Sequence, residues 1–262
     1  MDAALQIYKP QGESKSQTGH LIRDLAAATD IWPGEGVPEV PAYLQETYYW
    51  AYLSPRNVRL LDRELVVKVI LWGQQRRLRQ QAFAEITAGQ SVLQPAHVYG
   101  EFSPALARHL GPEGRLEVID VAPIQVANCR CKLEMYPRAT VRHADAARPG
   151  NRSYDAVCCF FLLHELPDDY KRAVVDALLA RVPAGGKVVF IDYHKPHWAH
   201  PLKPLTSLVF DTLEPFAKGL WRSEIADFAG AADGFDWRKE TYFGGLFQKV
   251  VAQRHQEERQ WN

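Results

Sequence analysis

Cysteine is scarce in this chain and poorly placed for cross-linking. The four among 262 residues, Cys129, Cys131, Cys158 and Cys159, fall as C-x-C and C-C, with no second pair at zinc-ribbon spacing. Neither pair frames a disulfide scaffold, so a reducing cytoplasm is the expected setting. Net charge is absent too, because 31 basic and 31 acidic residues cancel. No global field gathers nucleic acid or an acidic partner. No apolar run approaches the roughly 18–20 residues of a membrane-spanning helix, and the first residues lack the charged-then-apolar pattern of a signal segment. Peripheral contact with a membrane stays open. What is present is a 47% hydrophobic share, ordinary for a globular chain and too high for a disordered one.

Composition changes along the chain. Residues 1–40 read as a polar arm broken at IWPGEG, with a short helix expected near His20–Ala28. Residues 41–88 read as a helical, aromatic cap. Leu60, Leu61, Leu65, Val69 and Trp72 recur at helical steps, and Tyr43, Tyr48, Tyr49, Trp50 and Tyr52 precede them. Those rings either pack the helix onto a sheet or form a lid over a flat apolar ligand.

Residues 89–254 then alternate strand and helix. Ser91–Gln94, Leu116–Asp120, Thr140–Arg142, Tyr154–Leu163 and Lys187–Asp192 are the expected strands. Ser103 is placed to cap the first helix, and Asp168 or Asp169 a later one. YDAVCCFFLL is nearly continuous apolar, as a strand buried on both faces must be. A hairpin of Trp237–Phe243 and Leu246–Arg254, split by Gly244-Gly245, closes the domain, and 255–262 is a tail. The prediction is an α/β, Rossmann-like fold with a mostly parallel sheet and an antiparallel C-terminal hairpin. Its ligand belongs beyond the carboxyl ends of the strands.

The residues leaving those strands are therefore the candidates: Gln94–Gly100, Asp120, Asp145, His164-Glu165 and Asp192–His194. By themselves Asp120 suits a helix N-cap and Asp145, in HADAARPG, a turn. His97 has a ring that titrates near neutrality in its free form, which suits a base. His164, Glu165, Asp192 and His194 are hard-metal donors if they converge, and local hydrogen-bonding groups if they do not. The apolar segment 200–222, with Leu205, Leu208, Val209, Leu213 and Phe216 among Lys203, Lys218 and Arg222, reads as a cap over the sheet or a grip on an apolar tail at a bilayer surface.

The order of turn, acid and second acid resembles the class I S-adenosylmethionine-dependent methyltransferases over about residues 85–254. That resemblance implies cofactor contacts at Gln94, Ala96, Val98, Tyr99, Gly100, Asp120, Val121, Asp145 and Ala146. It implies ribose hydroxyls at Asp120, a two-oxygen acceptor, and an adenine amino group at Asp145. The loop departs from the family's D-x-G-x-G-x-G, reading Gln94, Ala96, Val98 and Gly100 at the acid and glycine positions. Glycine is wanted where backbone approaches ligand, so Val98 puts bulk where the methionine end of the cofactor passes.

A closer resemblance lies in YLQETYYWAYLSPRNVRLLDRELVV, VLQPAHVYGEFSP, VIDVAPIQVANCR, YDAVCCFFLLHELPDDYK and LKPLTSLVFDTLEPFAK. These runs are similar to the bacterial rhodoquinone biosynthesis family. The resemblance implies replacement of a ring methoxy group of ubiquinone by an amino group, at the cytoplasmic face of the inner membrane. S-adenosylmethionine would be the amino donor and manganese (Mn2+) a second cofactor. It implies roles for Tyr99, Asp120 and Asp145; Tyr99, His97 and His164 are the catalytic candidates, and His164, Glu165, Asp192 and His194 the metal candidates. Conventional methyl transfer to a polyprenyl quinone and a non-catalytic adenosyl- or quinone-binding module are the alternatives.

Overall fold

The computed structural model describes residues 38–256; the helix expected near His20–Ala28 lies outside them. The strands are β1 (Ser91–Gln94), β2 (Arg115–Asp120), β3 (Ala139–His143), β4 (Ala156–Phe160), β5 (Lys187–Tyr193), β6 (Phe235–Tyr242) and β7 (Phe247–Arg254). They form one seven-stranded sheet in the order β3-β2-β1-β4-β5-β7-β6. β1 to β5 pair in parallel, and β7 runs antiparallel to β5 and to β6. Strand order reverses between β1 and β4, which opens a crevice at their carboxyl ends. All five residues of β4 are buried, as expected of a strand covered on both faces.

Helices cover the sheet on both sides. On one face Leu78 and Ala82 of α4 (Gln75–Phe83), Leu106 of α5 (Phe102–Leu110) and Cys129 and Leu133 of α6 (Pro123–Leu133) pack with Val92, Val118 and Cys158. On the other, Val174, Val175 and Leu178 of α7 (Asp168–Leu179) pack with Leu93, Val157 and Val188. The alternation of side chains along each strand assigns neighbouring residues to opposite cores.

Two caps differ from expectation. Ser103 lies inside α5, and its hydroxyl accepts a 2.9 Å bond from Gln94 rather than capping a helix end. Asp168 is the first residue of α7, and its carboxylate binds the fully buried Lys171 ammonium at 2.7 Å. The apolar segment 200–222 holds α8 (Lys203–Thr212).

The cap over the carboxyl ends comprises α1 (Ala42–Glu46), a π-helical turn (Tyr49–Leu53), α2 (Pro55–Leu61) and α3 (Glu64–Ile70). The single helix expected through Leu60–Trp72 is broken at Asp62-Arg63. The reason is Asp62: it accepts the Gly100 N–H at 2.9 Å, pairs with Lys132 and takes Asn128 at 3.1 Å. An uninterrupted helix would carry that carboxylate away from all three. The break also rotates the helix faces. Val58, Val67 and Leu71 turn inward, while Leu60, Leu65 and Val69 meet solvent.

Asp62→Ala is expected to lower the unfolding free energy by roughly 3 kcal/mol, because it strands a largely buried lysine. Asp62→Asn, which keeps an acceptor for Gly100, should lose less. Denaturant unfolding of the two proteins measures the difference.

Candidate active site

The crevice holds a cavity of about 180 Å3, floored by Pro95–Tyr99, Asp120–Ala122 and Asp145 and roofed by the cap. Small-molecule sites usually run to roughly 300–1,000 Å3, so a cofactor and an acceptor enter together only if the cap yields. Tyr99 is what holds it down. Its hydroxyl donates to the Ala51 carbonyl at 2.7 Å and accepts from Gln125 Nε2 at 2.8 Å. Its ring stacks on Tyr52 at 5.6 Å, and Gln125 also donates to the Tyr52 carbonyl. The phenol considered for catalysis is thus a tether between loop and lid.

The loop after β1 has two sides. Pro95, Ala96, His97, Val98 and Tyr99 line the cavity, whereas Gln94 and Gly100 do not. Gln94 is wholly buried and donates to the Ala96 carbonyl at 2.7 Å as well as to Ser103, closing the loop on itself. Gly100 has φ +76°, and a Cβ there would stand 2.7 Å from a carboxylate oxygen of Glu64. Its glycine is required by the approaching cap. That corrects the expectation of direct cofactor contacts at these two positions.

Asp120 ends β2 with both oxygens engaged: Oδ2 accepts the His97 N–H at 2.9 Å, and Oδ1 the Ala122 N–H at 2.8 Å. Burial pushes its carboxyl up to about 6, against the pull of those donors. The helix-end bond and the cavity-facing position coexist, so the capping and ribose readings do not compete. Asp145 accepts the Ala147 N–H at 2.8 Å and the Tyr170 hydroxyl, with Tyr43 packed on that ring at 5.3 Å. Val121 and Ala146 line the same end of the cavity. His97 is a poor base, since burial, helped by the Lys132 charge, drives its ring down to about 3.

At the far end the chain leaves β4 through Phe161, whose φ of +52° is strained for a side chain of that size. The turn returns Leu163–Glu165 over the end of β5. Asp192, 1% exposed, accepts the Leu163 N–H at 2.8 Å and the His164 Nδ1–H at 2.9 Å. Glu165 Oε1 lies 3.6 Å from His164 Nε2 and accepts the Tyr52 hydroxyl. Glu214, after α8, completes the group beside Tyr48, and its Oε2 has no hydrogen-bond partner. Burial would depress His164, yet the charge and hydrogen bond of Asp192, with Glu165 and Glu214, hold it up at about 9. Burial raises Glu165 and Glu214 as well, opposed by the His164 imidazolium.

His164, Glu165 and Asp192 converge; His194 does not. Its Nδ1 bonds the Gly245 carbonyl at 2.9 Å and its Nε2 faces Lys239 at 2.9 Å, outside the cavity lining. β5 ends at Tyr193, and His194, beyond the strand, is drawn to the turn between β6 and β7, its N–H donating to the Leu246 carbonyl at 2.8 Å. Among the described residues no three His, Cys, Asp or Glu side chains are gathered as metal ligands. His164 Nδ1 and Asp192 are committed to each other. The residues present do not fit the manganese that the resemblance implies, and no step below is routed through it. Gln125, Tyr170 and Glu214 escaped the sequence reading, and Tyr52 was read only as one ring of the aromatic cap. Glu214 lay in a segment read for its apolar pattern, and no spacing signal marks Gln125 or Tyr170.

Two outcomes follow from this geometry. Tyr99→Phe should lower the unfolding free energy by about 1–2 kcal/mol, since it removes the bond to the Ala51 carbonyl and one of the two bonds from Gln125. His164 is raised on folding, so its stabilising contribution is full below about 6.5 and lost as pH rises through about 9. Tm measured against pH should fall over that window, and His164→Gln should flatten the slope.

Residues 92–194 match the methyltransferase domain family. No curated protein matches the chain. An O-methyltransferase family protein from Burkholderia thailandensis superposes with a TM-score of 0.61 at 16% identity, covering 92% of this chain and 71% of that one. The pyocyanin biosynthetic protein PhzM gives 0.55 at 16%, covering 81% and 71%. N-methyltransferase NodS from Bradyrhizobium japonicum WM9, in complex with S-adenosyl-L-homocysteine, gives 0.53 at 12%, covering 82% and 99%. At such identities the likeness is one of fold, and it agrees with the strand order and the antiparallel end strand. The parallel sheet from β1 to β5 with the antiparallel pair β6–β7 is the Rossmann-like fold of these methyltransferase structures, and within it residues 92–194 are similar to the methyltransferase domain.

Proposed function

We propose that this chain is an S-adenosylmethionine-dependent transferase acting on a lipid-soluble quinone, and that it replaces a ring methoxy group of ubiquinone with an amino group. The observation that carries the reading is the loop Pro95–Tyr99. Side chains, not bare glycine backbone, line the cavity there. A ligand whose adenosine end is held at Asp120 and Asp145 meets Val98 in its methionine portion. The in-line presentation of the sulfonium methyl is disfavoured and another pose is favoured. Bound in that pose, S-adenosylmethionine supplies an amino group within near-attack distance, roughly 3–3.5 Å, of an electron-poor ring carbon.

The chain's own groups suit that chemistry. An amine attacks only as the neutral base, and Glu165, raised towards neutrality by burial, is matched to take the ammonium's proton. As nitrogen adds, negative charge develops on the quinone oxygen, and methoxide leaves as methanol. His164, charged at neutral pH and oriented by Asp192, has its Nε2 proton to give to that methoxide. The secondary amine so formed would be freed from the donor skeleton by passing the Cα–H electron pair to the quinone ring, which is reduced to the quinol, and by hydrolysis of the resulting imine with water, which breaks the Cα–N bond. Phe161, Tyr193 and Tyr52 supply flat apolar walls and exclude water.

Methyl transfer to a ring hydroxyl is a second reading, favoured by the fold shared with the O-methyltransferase family protein from Burkholderia thailandensis. Purified protein given ubiquinone and donor labelled with 15N at the amine and 13C at the methyl separates the two. Nitrogen label in a quinone of lower mass is the expected result; carbon label in a heavier product would overturn the amino-transfer reading. Val98→Gly should relieve the crowding, tighten donor binding and lower the yield of nitrogen transfer, measured by calorimetry and product mass.

A further inference from the structure

The large apolar side chains that reach solvent are clustered. Trp50, Leu60, Leu65, Val69 and Ile70 fall within residues 50–70, and Leu65 and Val69, one turn apart on α3, are 70% and 67% exposed. Isolated exposed leucines need no explanation, but a patch does. The same stretch carries Arg56, Arg59, Arg63 and Lys68, all exposed, none paired with a carboxylate among the described residues. Its two acids face the other way: Asp62 binds Gly100 and Lys132, and Glu64 accepts the Glu101 N–H at 3.2 Å. In a chain of zero net charge this surface is locally positive. The mouth of the cavity lies in it, since Trp50 and Ile70 line the cavity while 40% and 46% exposed. α8, which leads into Glu214 of the cavity wall, presents Leu208 at 60% exposure.

Apolar side chains interleaved with unpaired cations are the chemistry of an anionic phospholipid surface, with the rings and leucines entering the acyl boundary and the cations among headgroups. We propose that residues 50–70, with the outer face of α8, dock the protein on an anionic bilayer so that the cavity opens directly into lipid. The sequence pattern had pointed to 200–222 for such contact; the structure moves its centre to the cap. No helix among the described residues is long and apolar enough to cross a membrane, so the contact is peripheral. The choice of bilayer over a second copy rests on the reading of the acceptor as lipid-soluble. A protein partner seated on Trp50 and Ile70 would seal the mouth, whereas a bilayer delivers the acceptor through it.

The test is flotation of the full chain with phosphatidylcholine vesicles, with and without phosphatidylglycerol, in the absence of cofactor and quinone. Binding is expected to be at least tenfold tighter to the anionic vesicles and to weaken with salt. The double variant Leu65→Glu, Val69→Glu changes only exposed positions, so its Tm should hold while flotation is lost. Arg59→Glu with Arg63→Glu should remove the preference for anionic lipid. Failure of the full chain to float, or flotation unchanged by the first double variant, overturns the proposal. So does a solution dimer that the same variant disperses. Turnover of a short-tailed, water-soluble quinone reports on the reaction separately, so either proposal falls without the other.

Discussion

A carboxylate buried at the end of β5 organises the chemistry of this molecule. Asp192 has almost no access to water, so its charge must be met from within. The adjacent Tyr193 N–H meets it at 2.7 Å, and the turn after β4 supplies the Leu163 N–H, the His164 N–H and the His164 ring. Satisfying Asp192 pulls that turn over the crevice and accounts for the strained Phe161 that starts it. The turn in turn presents Glu165 to Tyr52, and the Tyr52 backbone is held by Gln125, which also holds Tyr99. A series of hydrogen bonds, linked through the backbone at His164–Glu165 and through Tyr52 itself, joins the end of β5, the turn after β4, the cap and the loop after β1.

That series makes lid position and proton placement parts of a single arrangement. Lifting the cap breaks the Tyr52–Glu165 bond and admits water to a group of three carboxylates and an imidazolium. Closing it restores the low dielectric that keeps Glu165 raised and sharpens the contrast between base and acid. Asp62 and Gly100 supply the hinge side of the same lid, with glycine needed because Glu64 approaches where a side chain would stand. Residues far apart in sequence thereby control whether the cavity is a closed reaction vessel or an open cleft.

Much of the fold was legible in the sequence. β4 was marked by its unbroken apolar run, and β1, β2 and β5 by short apolar stretches ending at Gln94, Asp120 and Asp192. The hairpin was marked by its paired glycines. These features are local: each strand's burial is written in its own residues. The cap was read less well. Leu60, Leu65 and Val69 have helical spacing, but periodicity does not say which face is inward. Asp62, binding a glycine thirty-eight residues away, broke the helix and reversed its faces.

The site divides the same way. The sequence by itself determined the α/β alternation, the acids after successive strands and the replacement of loop glycines by Val98 and Tyr99, because each depends on residue type at a local position. Only the tertiary structure decided that Tyr99 tethers the lid, that Glu214 joins His164 and Glu165, and that His194 turns away towards Gly245 and Lys239. Those outcomes depend on which side chains burial forces to share hydrogen bonds across the crevice. Chain order carries no record of that, since a buried charge takes whichever partners packing brings within reach.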